Sequence, residues 1–213
     1  MEHKTISLAD QVFENLENDI LSGKYQRGEL LTESKLSQTL GVSRTPIREA
    51  LRRLSQEHII EESGKGSIVL GITENDLKDI FYIRRKIEGV CAAQAAKNRS
   101  EEQLAVLREA VEFQEFFLGK NDADKIKTMD SRFHETIYRM SGSAVFCDVL
   151  IPLHKKIQKY RRASLSNVSR AAASVAEHRG ILEAIAAKDS KKAEKLFGEH
   201  LTNAYNHMFK ENE

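Results

Sequence analysis

Glycine and proline are spread unevenly along this chain, and that unevenness constrains its fold more than any other feature. Gly23, Gly28, Gly41, Pro46, Gly64, Gly66 and Gly71 interrupt the first third. Beyond residue 71 the only glycines are Gly89, Gly119, Gly142, Gly180 and Gly198. Both residue types punctuate regular structure. The pattern predicts a compact mixed domain over residues 1–72 and an all-helical domain over 73–213.

In the first domain, Ser7 caps a helix and Asp10 sits where a reciprocal acidic partner belongs. Val12, Leu16, Ile20 and Leu21 recur at helical spacing, and Gly23 ends the helix. Thr32 caps a second helix with Leu36 and Leu40 on its inner face. Gly41-Val42 makes a tight turn. Ser43 caps a third helix that turns Ile47, Ala50, Leu51 and Leu54 inward. Pro46 falls in its first turn, where no helical N–H bond is lost. Ile59–Glu62 and Ser67–Leu70 read as short strands joined by Ser63-Gly64-Lys65-Gly66, a hairpin turn.

Helix, tight turn, helix and glycine-tipped hairpin is the layout of a winged helix-turn-helix, three helices plus a β-hairpin wing. Its third helix would enter the major groove with its N-terminal residues facing base edges. Arg44, Thr45, Arg48, Arg52 and Arg53 point outward there, with only Glu49 opposing them. Arginine is suited to bidentate contact with guanine or phosphate. Lys65 and the flanking Gly66 at the wing tip allow close approach to DNA. The net charge is only +1, and residues 1–71 hold nine basic residues against eleven acidic ones. DNA affinity must therefore rest on one face.

The second domain reads as six helices over 73–98, 100–119, 121–141, 143–166, 168–187 and 189–210. Thr73 with Asp76 and Ser100 with Gln103 form capping boxes, and Asn121, Ser143 and Asp189 are further starts. Short connections make successive helices antiparallel, so the fold class is mainly α, a winged helix-turn-helix followed by an antiparallel six-helix bundle. Asp130 and His134 are four apart and share a helix face. His178 and His200 are equidistant from residue 189, the turn between the last two helices. Each lies roughly 16 Å from that turn at 1.5 Å per residue, hence at one height in the hairpin. Four ligands can meet halfway along the bundle: three imidazoles and a carboxylate, a set for zinc, nickel or another divalent transition ion. His154 and His207 have no such placement and read as surface residues. His3 is expected in a mobile terminus.

Two stretches carry a family resemblance. Leu40-Gly41-Val42-Ser43-Arg44-Thr45-Pro46-Ile47-Arg48-Glu49-Ala50-Leu51, with the wing Gly64-Lys65-Gly66, resembles the DNA-binding signature of the GntR family of bacterial transcription regulators. Arg84–Gly89, Asp130–His134, Glu177–Ile185 and Glu199–Leu201 resemble the FCD effector domain of its FadR branch. Six helices rather than seven resemble the VanR-like subgroup. The resemblance implies that Ser43, Arg44, Thr45 and Arg48 read DNA. It assigns a metal to Asp130, His134, His178 and His200, and it implies that the metal helps bind a small organic acid. Arg84 either holds that anion or pairs with Glu88 one turn on, and Asn203 is a pocket candidate. Departures occur at Ser34, where the family often has a basic residue, and at His58, where it often has glycine.

Two cysteines, Cys91 and Cys147, lie in no ligand or disulfide spacing, so a reducing compartment is expected. No stretch approaches the roughly 20 apolar residues that span a bilayer. The N-terminus has no apolar core of signal-peptide type. Together these predict a cytoplasmic protein without membrane contact. A metalloenzyme is a competing reading, but no H-E-x-x-H pattern or nucleophile elbow is present. Glu135, Glu177 and Glu199 adjoin the ligands, yet neighbouring helix positions point about 100° apart. The expectation is a non-enzymatic regulator and homodimer, its operator affinity set by an organic acid or by the metal itself.

Overall fold

A computed structural model describes residues 7–209. The chain divides after Glu74 into two compact units.

The first unit holds α1 (Leu8–Leu21), β1 (Leu30–Leu31), α2 (Glu33–Leu40), α3 (Arg44–Gln56), β2 (Ile60–Ser63) and β3 (Gly66–Val69). Ser7 caps α1 by accepting from the Asp10 N–H at 3.1 Å, and its hydroxyl donates to the Asp10 carboxylate at 2.7 Å. Thr32 caps α2, and Gly41 closes it with φ 67. The three helices and the sheet bury Leu16, Leu36, Ile47, Leu54, Ile59 and Val69 in one core. The sheet order is β1-β3-β2, all antiparallel. The two wing strands were legible from sequence; the two-residue β1 is too short to show a period. His58 takes φ 56, the left-handed conformation that glycine adopts without steric cost.

The second unit is wholly helical: α4 (Glu74–Asn98), α5 (Glu101–Leu118), α6 (Ala123–Met140), α7 (Ala144–Lys156), α8 (Gln158–Leu165), α9 (Val168–Ala186) and α10 (Ser190–Phe209). Ser100 and Gln103 form the expected capping box on α5. Small residues on α4, including Ala92, Ala95 and Ala96, pack with Leu107, Phe133, Ile181 and Phe197 in the core. Two details differ from the sequence expectation, and the first makes seven helices of the expected six among the described residues. The helix expected over 143–166 breaks at Ile157, which leaves helical geometry at φ −97, ψ 11 and is fully buried. The helix expected from Asn121 is capped by Asp122 instead, because Asn121 itself is left-handed at φ 51.

Gly66 is the tightest point of the first unit. Its φ is +144, and a Cβ there would meet the Leu31 carbonyl oxygen at 2.5 Å. Gly66→Ala is expected to destabilise this unit by about 1–3 kcal/mol through backbone strain. Urea denaturation followed by circular dichroism reads this, and an unchanged midpoint contradicts it.

Candidate functional site

The candidate nucleic-acid face is built on α3. Ser43 occupies its N-cap position but makes no side-chain capping bond, contrary to the expected cap. Its hydroxyl and the first-turn N–H groups are therefore available to a phosphate. Ser43, Arg44, Thr45, Arg48, Arg52 and Lys65 are all exposed. Arg48, Arg52, Lys65 and Gly66 line a groove of about 570 Å³ between α3 and the wing. Arg48 donates twice to Glu33, at 2.8 Å each. That bond holds the Glu33 carboxyl below its ordinary range. Exposed ion pairs of this kind are weak, so phosphate can replace Glu33 at little cost. Arg53 is not part of this face: it donates to Asp10 at 2.6 Å and lies 4.0 Å over the Phe13 ring.

The second constellation lies inside the helical unit. Asp130 and His134 come from α6, His178 from α9 and His200 from α10, and all four are buried. The structure brings them together as the spacing predicts. His178 Nε2 and His200 Nε2 are 3.4 Å apart. Asp130 Oδ1 lies 3.9 Å from the Nε2 atoms of both His134 and His178.

Each outer nitrogen has its own partner. His178 Nδ1 lies 2.7 Å from Gln114 Oε1, and His200 Nδ1 donates to Glu177 Oε2 at 2.6 Å. His134 Nδ1 faces Glu88 Oε2 at 3.5 Å and the Tyr138 hydroxyl at 3.4 Å. Burial opposes ionisation of Glu177, but hydrogen bonds from His200 and Arg170 outweigh it and hold the carboxyl at about 2. An ionised carboxylate only accepts, so His200 carries a proton on Nδ1. His178 Nδ1 meets the side-chain amide of Gln114, whose Nε2 is buried without a partner. The two Nε2 atoms of the histidines face each other at hydrogen-bond distance, a contact that either a shared proton or a metal ion between them makes favourable. Burial keeps His134 and His178 from protonating, lowering both pKa values. This donor set fits a divalent transition ion, with second partners orienting the imidazoles as such sites require.

Three arginines line a small cavity beside the ring, of about 30 Å³. Arg84 pairs with Glu88, Nε to Oε1 at 2.5 Å. Arg170 donates to both Glu177 oxygens at 3.0 Å. Arg161 donates to Asp130 Oδ2 and to Ser131 Oγ. Arg84 thus makes the salt bridge that the sequence allowed and also borders the cavity. Asn203 does not: it is exposed, lies outside this cavity, and donates to Glu177 Oε1 at 2.9 Å.

Sequence reasoning missed five residues: Arg170, which donates to both Glu177 oxygens, and Glu177, Gln114, His154 and Arg161. Glu177 was set aside because it points away from His178, yet it reaches across to His200 on the neighbouring helix. Gln114 is a buried glutamine with no motif around it. His154 was expected at the surface but is 1% exposed, its Nε2 lying 3.7 Å from Asp130 Oδ2. Arg161 shares that oxygen. The signal for both was present, because Leu150, His154, Ile157, Arg161 and Leu165 recur at helical spacing and all are buried. His207 is partly buried, and His3 lies outside the described residues.

A winged helix-turn-helix joined to a helical unit with a buried histidine cluster defines the class, a DNA-binding regulator with a sensory domain. Residues 8–70 match the model for bacterial regulatory proteins of the gntR family, and residues 79–203 match that for the FCD domain. The chain belongs to the GntR-type transcription regulators with an FCD effector domain. It is 35% identical over 120 residues to the gluconate operon transcriptional repressor of Bacillus licheniformis, covering 56% of this chain. The chain spans 49% of that relative's length. It is 26% identical over 192 residues to the HTH-type transcriptional repressor RspR of Escherichia coli, covering 90% of this chain and 84% of that protein. The structure of E. coli McbR/YncC shares the fold, with a TM-score of 0.84, 23% identity, and coverage of 98% of this chain and 100% of that one. These matched domains and relatives are regulators, not enzymes. No helix among the described residues is long and apolar enough to cross a membrane.

The carboxyls of Glu88 and Glu177 are both held at about 2, against an ordinary 4.5. Such groups add stability above pH 4.5 that is lost as pH falls toward 2. His134 and His178, held neutral against an ordinary 6.5, add a loss in the same direction below that pH. The helical unit is therefore expected to lose stability steadily from pH 6.5 downward. Urea midpoints at pH 7, 5 and 3 read this, and equal midpoints at pH 7 and 5 contradict it.

Proposed function

We propose that this chain is an operator-binding repressor whose DNA affinity is controlled by a small carboxylate held at a divalent transition ion. Residues 1–72 form the DNA-binding domain and 73–213 the sensing domain in this reading. Asp130, His134, His178 and His200 hold the ion, zinc or nickel. When bound, the ion supplies two positive charges and Lewis acidity toward an oxygen ligand.

The observation that carries this reading is the pair of imidazole Nε2 atoms facing each other at 3.4 Å. Their Nδ1 atoms are already committed to Gln114 and Glu177. Electrostatics then favours an anionic effector. Around the cavity, Arg84, Arg161 and Arg170 are balanced by Glu88, Asp130 and Glu177. The imidazoles of His134 and His178 are neutral. A divalent ion would leave two uncompensated charges in a poorly solvated interior, where charge needs a partner. A small carboxylate supplies it, and Arg84 at the cavity wall is its second holder. Asn203 acts at one remove, by holding Glu177 against His200. A regulator that senses the metal alone is the second reading, and adding organic acids to the metal-loaded protein in DNA titrations separates the two.

On DNA, Ser43 and the α3 N-terminus hold phosphate, Arg44, Thr45 and Arg48 face base edges, and Arg52, Lys65 and Gly66 approach from the groove and wing. A homodimer would place two recognition helices in successive major grooves. A reducing cytoplasm suits the two free thiols, Cys91 and Cys147.

Elemental analysis of untagged protein tests the metal site. About one ion per chain is expected, by the four-ligand stoichiometry of such sites, and its loss in a His178→Ala, His200→Ala double variant. An equal metal content in both proteins contradicts the site. On DNA selected from a random library by the wild type, Arg44→Ala is expected to cost about 1–3 kcal/mol of binding. An unchanged affinity contradicts the assigned face.

A further inference from the structure

His154 is a buried histidine that the proposed function leaves unused. It lies on α7, and neither ring nitrogen has a hydrogen-bond partner. A neutral imidazole offers one donor and one acceptor. Both are desolvated here without compensation, which is unfavourable and rare in native folds. Unpaired polar atoms of this kind call for a partner.

The surroundings define that partner's charge. His154 Nε2 lies 3.7 Å from Asp130 Oδ2, and its ring centroid is 4.4 Å from that of His134. The Arg161 guanidinium sits on the same Asp130 oxygen. A lone pair beside a carboxylate is a ligand position for a cation, not an anion. Asp130, His134 and His154 each present a ligand atom within 4.8 Å of the others, as do His134, His178 and His200. The two triads share His134. Asp130 joins them, with Oδ1 facing His134 and His178 and Oδ2 facing His154.

Two separate ions are excluded by charge. A second divalent ion would add two more charges to a group of arginines and carboxylates that already cancel. One ion drawing on both triads adds the fewest.

Resting on the metal reading above, we infer that His154 is a fifth protein ligand of that ion. The site then takes a first-row ion of coordination number five or six, such as nickel or cobalt, in preference to four-coordinate zinc. Four imidazoles and a carboxylate exceed the four ligands of a closed zinc site. Arg161 is the group that must yield Asp130 Oδ2. Its guanidinium already lines the cavity, so yielding leaves it beside any carboxylate bound there.

The test is titration of the metal-free full-length protein with cobalt(II), wild type against His154→Leu. Visible absorption reports coordination number and competition with a chelator reports affinity. The wild type is expected to show the weak bands of five- or six-coordinate cobalt. His154→Leu is expected to show the stronger bands of four-coordinate cobalt and to bind about tenfold more weakly or worse. The metal-free variant is expected to melt no lower than wild type, because leucine removes two unpaired polar atoms. A variant that binds cobalt as tightly as wild type, or keeps the wild-type spectrum, overturns the inference and leaves the four-ligand site standing. A wild type that takes up no cobalt overturns both. If circular dichroism shows His154→Leu unfolded, His154→Gln is judged on the same two readouts.

Discussion

The helical unit is organised around an electrostatic problem, the burial of ionisable groups among packed apolar helices. A charge moved out of water into such an interior is costly unless it is paired and hydrogen-bonded. Here the pairing is arranged in relays. Arg84 holds Glu88, which faces His134; Arg170 holds Glu177, which accepts from His200. Each relay runs from the cavity wall to the outer nitrogen of a ring histidine. The arginines keep the carboxylates ionised, and Glu177 in turn accepts from His200 Nδ1.

That order gives the proposed sensor a physical route between its two ligands. An anion in the cavity would compete with Glu88, Asp130 and Glu177 for the same guanidinium groups. An ion in the ring would draw on the imidazoles those carboxylates hold. The two ligands therefore act on one network, and by linkage each changes the affinity of the other. An effector moves operator binding only through its differential affinity for two arrangements of the protein. On the DNA side, the Glu33–Arg48 pair keeps an exposed arginine ordered without holding it tightly.

Much of this was legible in the sequence because the relevant signals are periodic. The winged helix-turn-helix follows from capping residues, inward apolar positions and Gly41, each acting over a few residues. The meeting of His178 and His200 follows from their equal distance from residue 189, since rise per residue is fixed in a helix. Most of the residues that were missed act across helices. Glu177 serves the partner of its neighbour, and Gln114 reaches His178 from α5. His154 and Arg161 recur at helical spacing, but the residue that both meet, Asp130, lies on another helix. Arg53 shows the converse. Its outward position in α3 suggests a DNA contact, while its actual partner, Asp10, lies on another helix.

The central claim is that the facing Nε2 atoms are the inner shell of a metal ion. Anomalous X-ray diffraction from nickel-loaded crystals, collected on both sides of the nickel absorption edge, tests it most directly. The account predicts one anomalous peak per chain, at about 2.0–2.2 Å from Nε2 of His134, His178 and His200 and from an Asp130 oxygen, the bond lengths of such ions. A peak confined to the protein surface, or none within the helical unit, would contradict it.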